Sequence, residues 1–332
     1  KRLSWALITE VLKKVTTDSY QRVADDLKIS KGSVYNIIKS LRDKIIVSPL
    51  KEKKSIDILY VQADECYVKL QKKYAGRKTN TIMLEQITVH EGLRNVCKGR
   101  NELVNRRLYT RAAAESREEF YDRVNEDLLA MYDYKDIYLY GDGANWIKSA
   151  ADALGATYIT DLFHTMQAVN RLTTDDAWRT ELTKAILSNK KFVFEVFKKQ
   201  ELLKNKPSKL RLNSYKYLMN HWNTIQLNFT KSKSIGCSQE GINSHYYASR
   251  LTSRPKGFHE ASARVIAQLV NIKHNDEDFE LEIHDQIIKP IMKQVRRKQR
   301  EYDNTYIPNQ ASFSITPSKT LNFNRISHPY VI

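Results

Sequence analysis

Cysteine is scarce. Cys66, Cys97 and Cys237 are the only three in 332 residues, they lie far apart, and none has CxxC spacing. That excludes both a cysteine-based zinc site and a disulfide framework. No run of eighteen or more apolar residues occurs, so no membrane span is expected. Lys1–Glu10 lack the apolar stretch and small-residue cleavage site of a secretory leader. The chain begins at Lys1 without Met, and a truncated or processed form is expected. No internal repeat and no heptad seam is visible. Acids are also short: 38 Asp and Glu face 55 Lys and Arg, a formal net charge of +17.

A surplus of that size favours a polyanionic partner, because each neutralised phosphate releases condensed counterions. Solubility is the bland alternative. The chain is 41% hydrophobic, enough for a normal core, and its length suggests about two or three units. Few Cys, no leader and a basic charge together suggest a cytoplasmic, nucleoid-associated protein in a reducing setting.

Residues 4–15 have helical periodicity. Tyr20–Leu27 repeats it, and Ser30 is placed to N-cap a further helix over Lys31–Leu41. Two short helices around a tight turn, with Ala24 in the first and Val34 and Ile37 in the second, form a helix-turn-helix signature. Lys31, Ser33, Tyr35, Asn36 and Lys39 are then its exposed, DNA-reading face. A helical hairpin with a packing role is the alternative. Residues 42–54, with Pro49 and four Lys, read as a linker.

Strand composition begins at Ile56 and ends on Asp64. Thr81–Val89 alternates as a second strand, and Arg106–Tyr109 is a short third. A helix over Glu115–Met131 follows. Asp136–Asp142 is another strand ending on an acid, Ala144–Leu154 a helix, and Ala156–Thr160 a last strand. The expected fold class is α/β: a ribonuclease-H-like mixed sheet flanked by helices, with an N-terminal helix-turn-helix and an all-α insertion. The insertion is the Lys-rich stretch 165–235, where strand patterning is nearly absent. The expected organisation is 1–54 DNA-binding region and linker, 55–164 first part of the core, 165–235 insertion, 236–300 final core helices and 301–332 tail. Within 236–300, residues 238–251 and 258–273 read as helices. A basic run over Lys289–Arg300 is either a solvated face or one that tracks phosphates.

Metal-assisted phosphodiester cleavage needs carboxylates that converge from separate elements. Asp64 and Asp142 end strands that neighbour each other in the expected sheet, and Glu240 opens a late helix. Each acid alone is weak, since Asp in Gly141-Asp142-Gly143 is a common turn residue. The combination with the fold order is stronger.

Val61-Gln-Ala-Asp64-Glu65, Gly141-Asp-Gly-Ala-Asn-Trp146-Ile-Lys148, Asp161-Leu-Phe-His164 and Cys237-Ser-Gln-Glu240-Gly241 together resemble the ISLre-type family of bacterial insertion-sequence transposases, relatives of the Mutator-like enzymes. Ser244-His245 and Ser249-Arg250-Leu-Thr-Ser253-Arg254-Pro255 extend the likeness, which runs from about Tyr20 to Arg254. The resemblance implies a DDE triad, with Asp64, Asp142 and Glu240 as ligands of Mg²⁺ or Mn²⁺. It implies cleavage at element ends, then attack of the freed 3′-hydroxyl on target DNA. It implies double-stranded DNA partners, both terminal repeats and target, and a homodimer or higher oligomer. Asn243 departs from the pattern, standing where an apolar residue is expected.

Further candidates surround the triad. His164 suits a proton relay or phosphate contact, or a structural role at a strand end. His245, Arg250 and Arg254 suit DNA contact or plain solubility. Trp146 suits stacking on an unpaired base, or the core. The competing functions are a DNA-binding regulator with a degenerate catalytic fold and a structure-selective nuclease. A tyrosine recombinase fits less well: His245 and Arg250 match only part of its residue set.

Overall fold

The computed structural model describes residues 3–71, 80–98, 100–202, 207–230, 235–253, 257–275 and 278–290, with 293 and 297. Three short helices open the chain: α1 (Trp5–Lys14), α2 (Tyr20–Leu27) and α3 (Lys31–Lys39). Each begins on a serine, Ser4, Ser19 or Ser30, whose hydroxyl accepts the backbone N–H three residues on. Lys28 takes a left-handed conformation (φ 53°) and turns the chain between α2 and α3. Their apolar faces bury Val23, Ala24, Val34, Ile37 and Ile38.

Next come β1 (Lys54–Lys69), β2 (Thr81–His90), β3 (Leu93–Cys97), β4 (Arg100–Leu103) and β5 (Arg107–Thr110). Then follow α4 (Arg117–Met131), β6 (Tyr132–Gly141), α5 (Asn145–Ala153) and β7 (Thr157–Thr160). Five strands form one mixed sheet in the order β5-β2-β1-β6-β7. β1 runs antiparallel to β2 and parallel to β6; β5 is antiparallel to β2, and β7 parallel to β6. β3 and β4 pair separately. β1 does not end at Asp64 as expected. Its pairing with β6 stops at Gln62, but β2 continues to pair with it as far as Lys69.

The period of two along the strands divides the sheet between two layers. Leu59, Val61 and Ala63 of β1, with Ile137 and Leu139 of β6, pack under α4 and α5. The even-numbered residues face the other way. There Ile58, Tyr60, Tyr138 and Tyr140 join one cluster, and Cys66 and Val68 another.

All the regular structure described between β7 and residue 230 is helical: α6 (Leu162–Leu172), α7 (Asp176–Leu187), α8 (Phe192–Phe197) with a π-helical turn over Lys198–Leu202, α9 (Lys209–Asn220) and α10 (Trp222–Thr230). These helices bury their own core, including Leu172, Ile186, Phe194, Phe197, Leu218 and Trp222. The stretch expected as one helix from Ser238 consists of α11 (Gln239–Ile242), a π-helical segment (Asn243–Ala248) and α12 (Ser249–Leu251). α13 (Glu260–His274) and α14 (Phe279–Ile283) follow, the latter continued by a π-helical turn over His284–Ile288.

α13 is buried nearly all round, as a helix between two layers must be. Ala263, Ile266, Ala267 and Val270 face the sheet, while Val265, Leu269 and Ile272 share a core with α1–α3 and α14. The expected linker is irregular up to Lys53 but bound down. Gln268 accepts the Ile46 N–H at 2.6 Å, and Arg107 donates to the carbonyls of Ser48 and Pro49. Of the basic residues in the run 289–300, Lys289, Lys293 and Arg297 are described and helical; the tail 301–332 lies outside the described residues. Among the described residues no helix is long and apolar enough to cross a membrane.

Candidate active site

Asp64 and Asp142 meet through register. In the parallel pair, Gln62 lies opposite Tyr140. Two residues beyond this pair, Asp64 still within β1 and Asp142 in the bend just past the end of β6 border the same cavity. Neighbouring strands lie about 4.8 Å apart, so the carboxylates approach where β6 leaves β1. The chain turns sharply after Asp142, whose Oδ1 accepts the Ala144 N–H at 2.8 Å. Two glycines make this turn possible. A Cβ at Gly141 would fall 2.6 Å from Ile147 of α5. Gly143 has φ +96°, and a Cβ there would fall 2.5 Å from the ring of His221, at the junction of α9 and α10. The helical insertion therefore closes over the loop that carries the second acid.

The third acid is brought back by a polar relay. The Ser238 N–H and hydroxyl donate to Gln62 Oε1, at 2.9 and 3.2 Å. That fixes the Gln62 amide nitrogen against His90 Nε2, 2.8 Å away. His90 is fully buried, stacks on Tyr60, and is pushed down to about 4 by burial. Ser238 leads into α11, so Gln62 ties the helix of Glu240 to the strand of Asp64. A second tie is direct: Asn243 Nδ2 donates to Asp64 Oδ2 at 2.5 Å. The other Asp64 oxygen accepts the Glu65 N–H at 2.8 Å.

Asp64, Asp142 and Glu240 line one cavity of about 450 Å³, together with Glu65, His164 and Asn243. Cys66, Tyr67, Ser244, Ala248 and Thr252 complete its wall. Asp64, Asp142, His164 and Glu240 also border an adjoining hollow of about 10 Å³, room for about one water-sized sphere. Four carboxylates thus share a cavity in a strongly basic chain. Burial pushes Asp64 up to about 7; the Glu65 N–H and His164 oppose the rise, and the charges of Glu65 and Asp142 add to it. Burial also raises Glu65, against the hydrogen bond from Trp146. His164 is raised because Asp161 accepts its Nδ1–H at 2.9 Å, with burial opposing and Asp64 and Asp142 reinforcing. Excess negative charge around a small polar hollow is the environment a hard divalent cation relieves.

The donor set fits such a cation in kind, with carboxylate oxygens from three separate elements. It is not gathered in advance: among the described residues no group of three His, Cys, Asp or Glu forms a metal-holding cluster. Glu240 is exposed.

Two sequence-predicted contacts are corrected. Trp146 is not a stacking surface. It is 5% exposed in the core under the sheet, and its indole N–H donates to Glu65 Oε2 at 2.7 Å. Arg250 is not available to phosphate. It is 2% exposed, its Nε donates to the Val15 carbonyl at 2.6 Å, and its guanidinium lies over the Phe258 ring. It is turned inward against the end of α1, and its apolar stem is buried there. His245 is exposed, and Arg254 lies outside the described residues. On α3, Lys31, Tyr35, Asn36 and Lys39 are exposed; Ser33 is half-buried, and its hydroxyl meets that of Ser30 at 2.9 Å. Glu65, Tyr67, Asp161 and Asn243 line or brace the site without having been assigned roles. Only the short spacings of Glu65 from Asp64 and of Asp161 from His164 were available to suggest them.

The family model for the uncharacterised protein family UPF0236 matches residues 2–284. The chain belongs to that family. Among curated relatives, three UPF0236 proteins of Caldanaerobacter subterraneus subsp. tengcongensis are similar to it. One is 28% identical over 291 residues, covering 84% of this chain and 60% of the relative. Two more are 29% identical over 293 residues, covering 84% of this chain and 60% or 57% of theirs. The chain therefore spans about 60% of the length of the relatives it matches. The names of these three carry eleven, four and two locus designations. Among solved structures, the Drosophila P element transposase strand transfer complex overlaps 86% of this chain and 81% of its own. The TM-score is 0.27 and the identity 9%, too slight an agreement to argue from.

Proposed function

We propose that this chain is a DDE-type DNA transposase of the ISLre kind, with Asp64, Asp142 and Glu240 as the ligands of Mg²⁺ or Mn²⁺. The observation that carries the proposal is the single cavity bordered by these three acids, each from a different element. The strand order β5-β2-β1-β6-β7, with only β1, β6 and β7 parallel, supports a ribonuclease-H-like sheet. The multiple locus designations of the relatives support a mobile element, since a sequence that transposes multiplies in its host.

A cation held by the three acids would supply Lewis-acid activation of the attacking oxygen and charge relief at the leaving one. The protein's own residues do the positioning. Asn243 and the Glu65 N–H orient the Asp64 carboxylate. Asp161 accepts the His164 Nδ1–H, raises the affinity of the ring for a proton, and orients the imidazole beside the acids to meet phosphate. The exposed Glu240 has the rotameric freedom to turn inward. The α2–α3 pair acts as a helix-turn-helix, presenting Lys31, Tyr35, Asn36 and Lys39 to the DNA of element ends, with Ser33 beside them. Two ends must be held together, so the active form is a dimer or larger assembly.

The test is incubation of the protein with end-containing DNA and Mg²⁺ or Mn²⁺. The expected products are 3′-hydroxyl ends and joined strands, both lost in Asp142→Asn and Glu240→Gln while DNA binding persists. Unimpaired cleavage by either variant rejects the triad. Binding without cleavage under every metal condition returns the regulator, and cleavage without joining the nuclease.

A further inference from the structure

We propose that Asn243 is a positioning residue of the acid site: its amide N–H fixes Asp64, and its carbonyl oxygen is reserved for a donor that enters the cavity. The inference rests on the reading that the cavity takes a divalent cation. Asn243 lies three residues after Glu240, on the same face of one helix, and its amide reaches back to Asp64 across 179 positions of sequence. One side chain therefore links the first acid to the helix of the third. The helix changes to π-helical form at Asn243 itself, and such turns occur frequently at functional sites.

The Asp64 carboxylate receives one N–H on each oxygen, from Glu65 and from Asn243. Its rotation is fixed while further lone pairs stay open, as for a ligating carboxylate braced from outside. The carbonyl half of Asn243 has a different status. Its Oδ1 is buried and accepts no hydrogen bond among the described residues. Gln239, beside Glu240 and 2% exposed, likewise has neither side-chain atom paired among them. Asn243 lines the larger cavity and Gln239 the small hollow. An apolar side chain at position 243 would fill the space without an orphan acceptor. Buried polar atoms that find no protein partner among the described residues beside these two adjoining hollows point to a polar guest there.

The experiment is Mn²⁺ titration by calorimetry, with thermal melting, on the wild-type chain, Asn243→Leu, Asn243→Asp and Asp64→Asn. Asn243→Leu is expected to melt within a few degrees of wild type without metal, and to bind Mn²⁺ about 10- to 100-fold more weakly. Asn243→Asp loses the donor and sets a carboxylate against Asp64. It should melt lower without metal and show a larger Mn²⁺-induced rise than wild type. Asp64→Asn should lose Mn²⁺ binding. If it binds as wild type does, the acid site itself is wrong. If it loses binding while Asn243→Leu keeps wild-type affinity, the site stands and the role of Asn243 is overturned. Should Asn243→Leu not fold, Asn243→Asp decides: an unchanged Mn²⁺-induced rise also overturns the role.

Discussion

Trp146 donates its indole N–H to Glu65 Oε2 over 2.7 Å, so the aromatic that follows the second acid is locked to the residue beside the first. The bond joins α5 to β1 behind the cavity and opposes the rise that burial imposes on the half-buried Glu65 carboxyl. Trp146→Phe keeps the ring in the core and removes the donor. Leaving a charged acceptor short of a partner costs about 1–3 kcal/mol, measurable by urea denaturation. DNA affinity at fixed salt should stay within about twofold of wild type, because the ring does not reach the surface. A tenfold loss of affinity with unchanged stability would return Trp146 to the DNA interface.

Glu85 of β2 holds the sheet to α13. It is 1% exposed and meets Arg264 at 3.0 Å, Arg111 at 3.1 Å and Arg117 at 3.2 Å. Burial alone would raise its carboxyl, but Arg264 and Arg111 outweigh it and hold the group below the usual range. Glu85→Ala leaves Arg264 charged in the interior and is expected to cost about 3–5 kcal/mol. The expected signature is a lower urea midpoint at constant slope. A midpoint near wild type would mean that the arginines find other partners.

The strands were legible because one face is covered by α4 and α5 and the other by helices of the second layer. Strands buried on both faces read as near-continuous apolar runs, here Ile58–Val61 and Ile137–Tyr140, and those runs mark β1 and β6 and lead into Asp64 and Asp142. β3 was not legible, because all five of its residues are exposed and nothing forces alternation. Trp146 and Arg250 were misplaced for a related reason. Each sits on a helix near the acids, and only packing against Glu65 or Val15 decides that it turns inward. Asn243 registered as a departure from a pattern. Its meaning depends on a partner 179 residues away, beyond the reach of local spacing.

The two sets of basic side chains near the expected DNA surfaces should behave oppositely. Lys31 and Lys39 are exposed on α3, whereas Arg250 is enclosed. Lys31→Ala and Lys39→Ala should each lower the slope of log affinity against log salt by about 1, with little loss of stability. Arg250→Ala should leave that slope alone and cost about 1–3 kcal/mol, since it strands the Val15 carbonyl. Fluorescence anisotropy across a salt series, beside melting curves, separates the two. A reduced slope for Arg250→Ala at unchanged stability would contradict its burial.

His90 should make the fold sensitive to mild acid. Ser238 donates to Gln62 Oε1, so the Gln62 amide nitrogen must face His90 Nε2, which then has to be an acceptor. The ring is thereby held neutral, and its Nδ1 faces the backbone of Gly92, 3.1 Å from the carbonyl and 3.3 Å from the N–H. Burial pushes the group down to about 4 from an ordinary 6.5. Between those values the unfolded chain binds a proton that the folded chain refuses. The stabilisation is therefore complete above pH 6.5 and is lost as pH falls toward 4, by roughly 3 kcal/mol. His90→Gln carries no such proton. The stability difference between wild type and His90→Gln should shrink by about that amount between pH 7 and pH 4. Because Gln62 also secures Ser238 ahead of Glu240, protonation of His90 would set two N–H groups against each other and loosen the helix of the third acid. Denaturant titrations of both proteins at pH 7, 5.5 and 4 would measure the effect, and parallel curves would show that His90 titrates as an ordinary, solvated histidine.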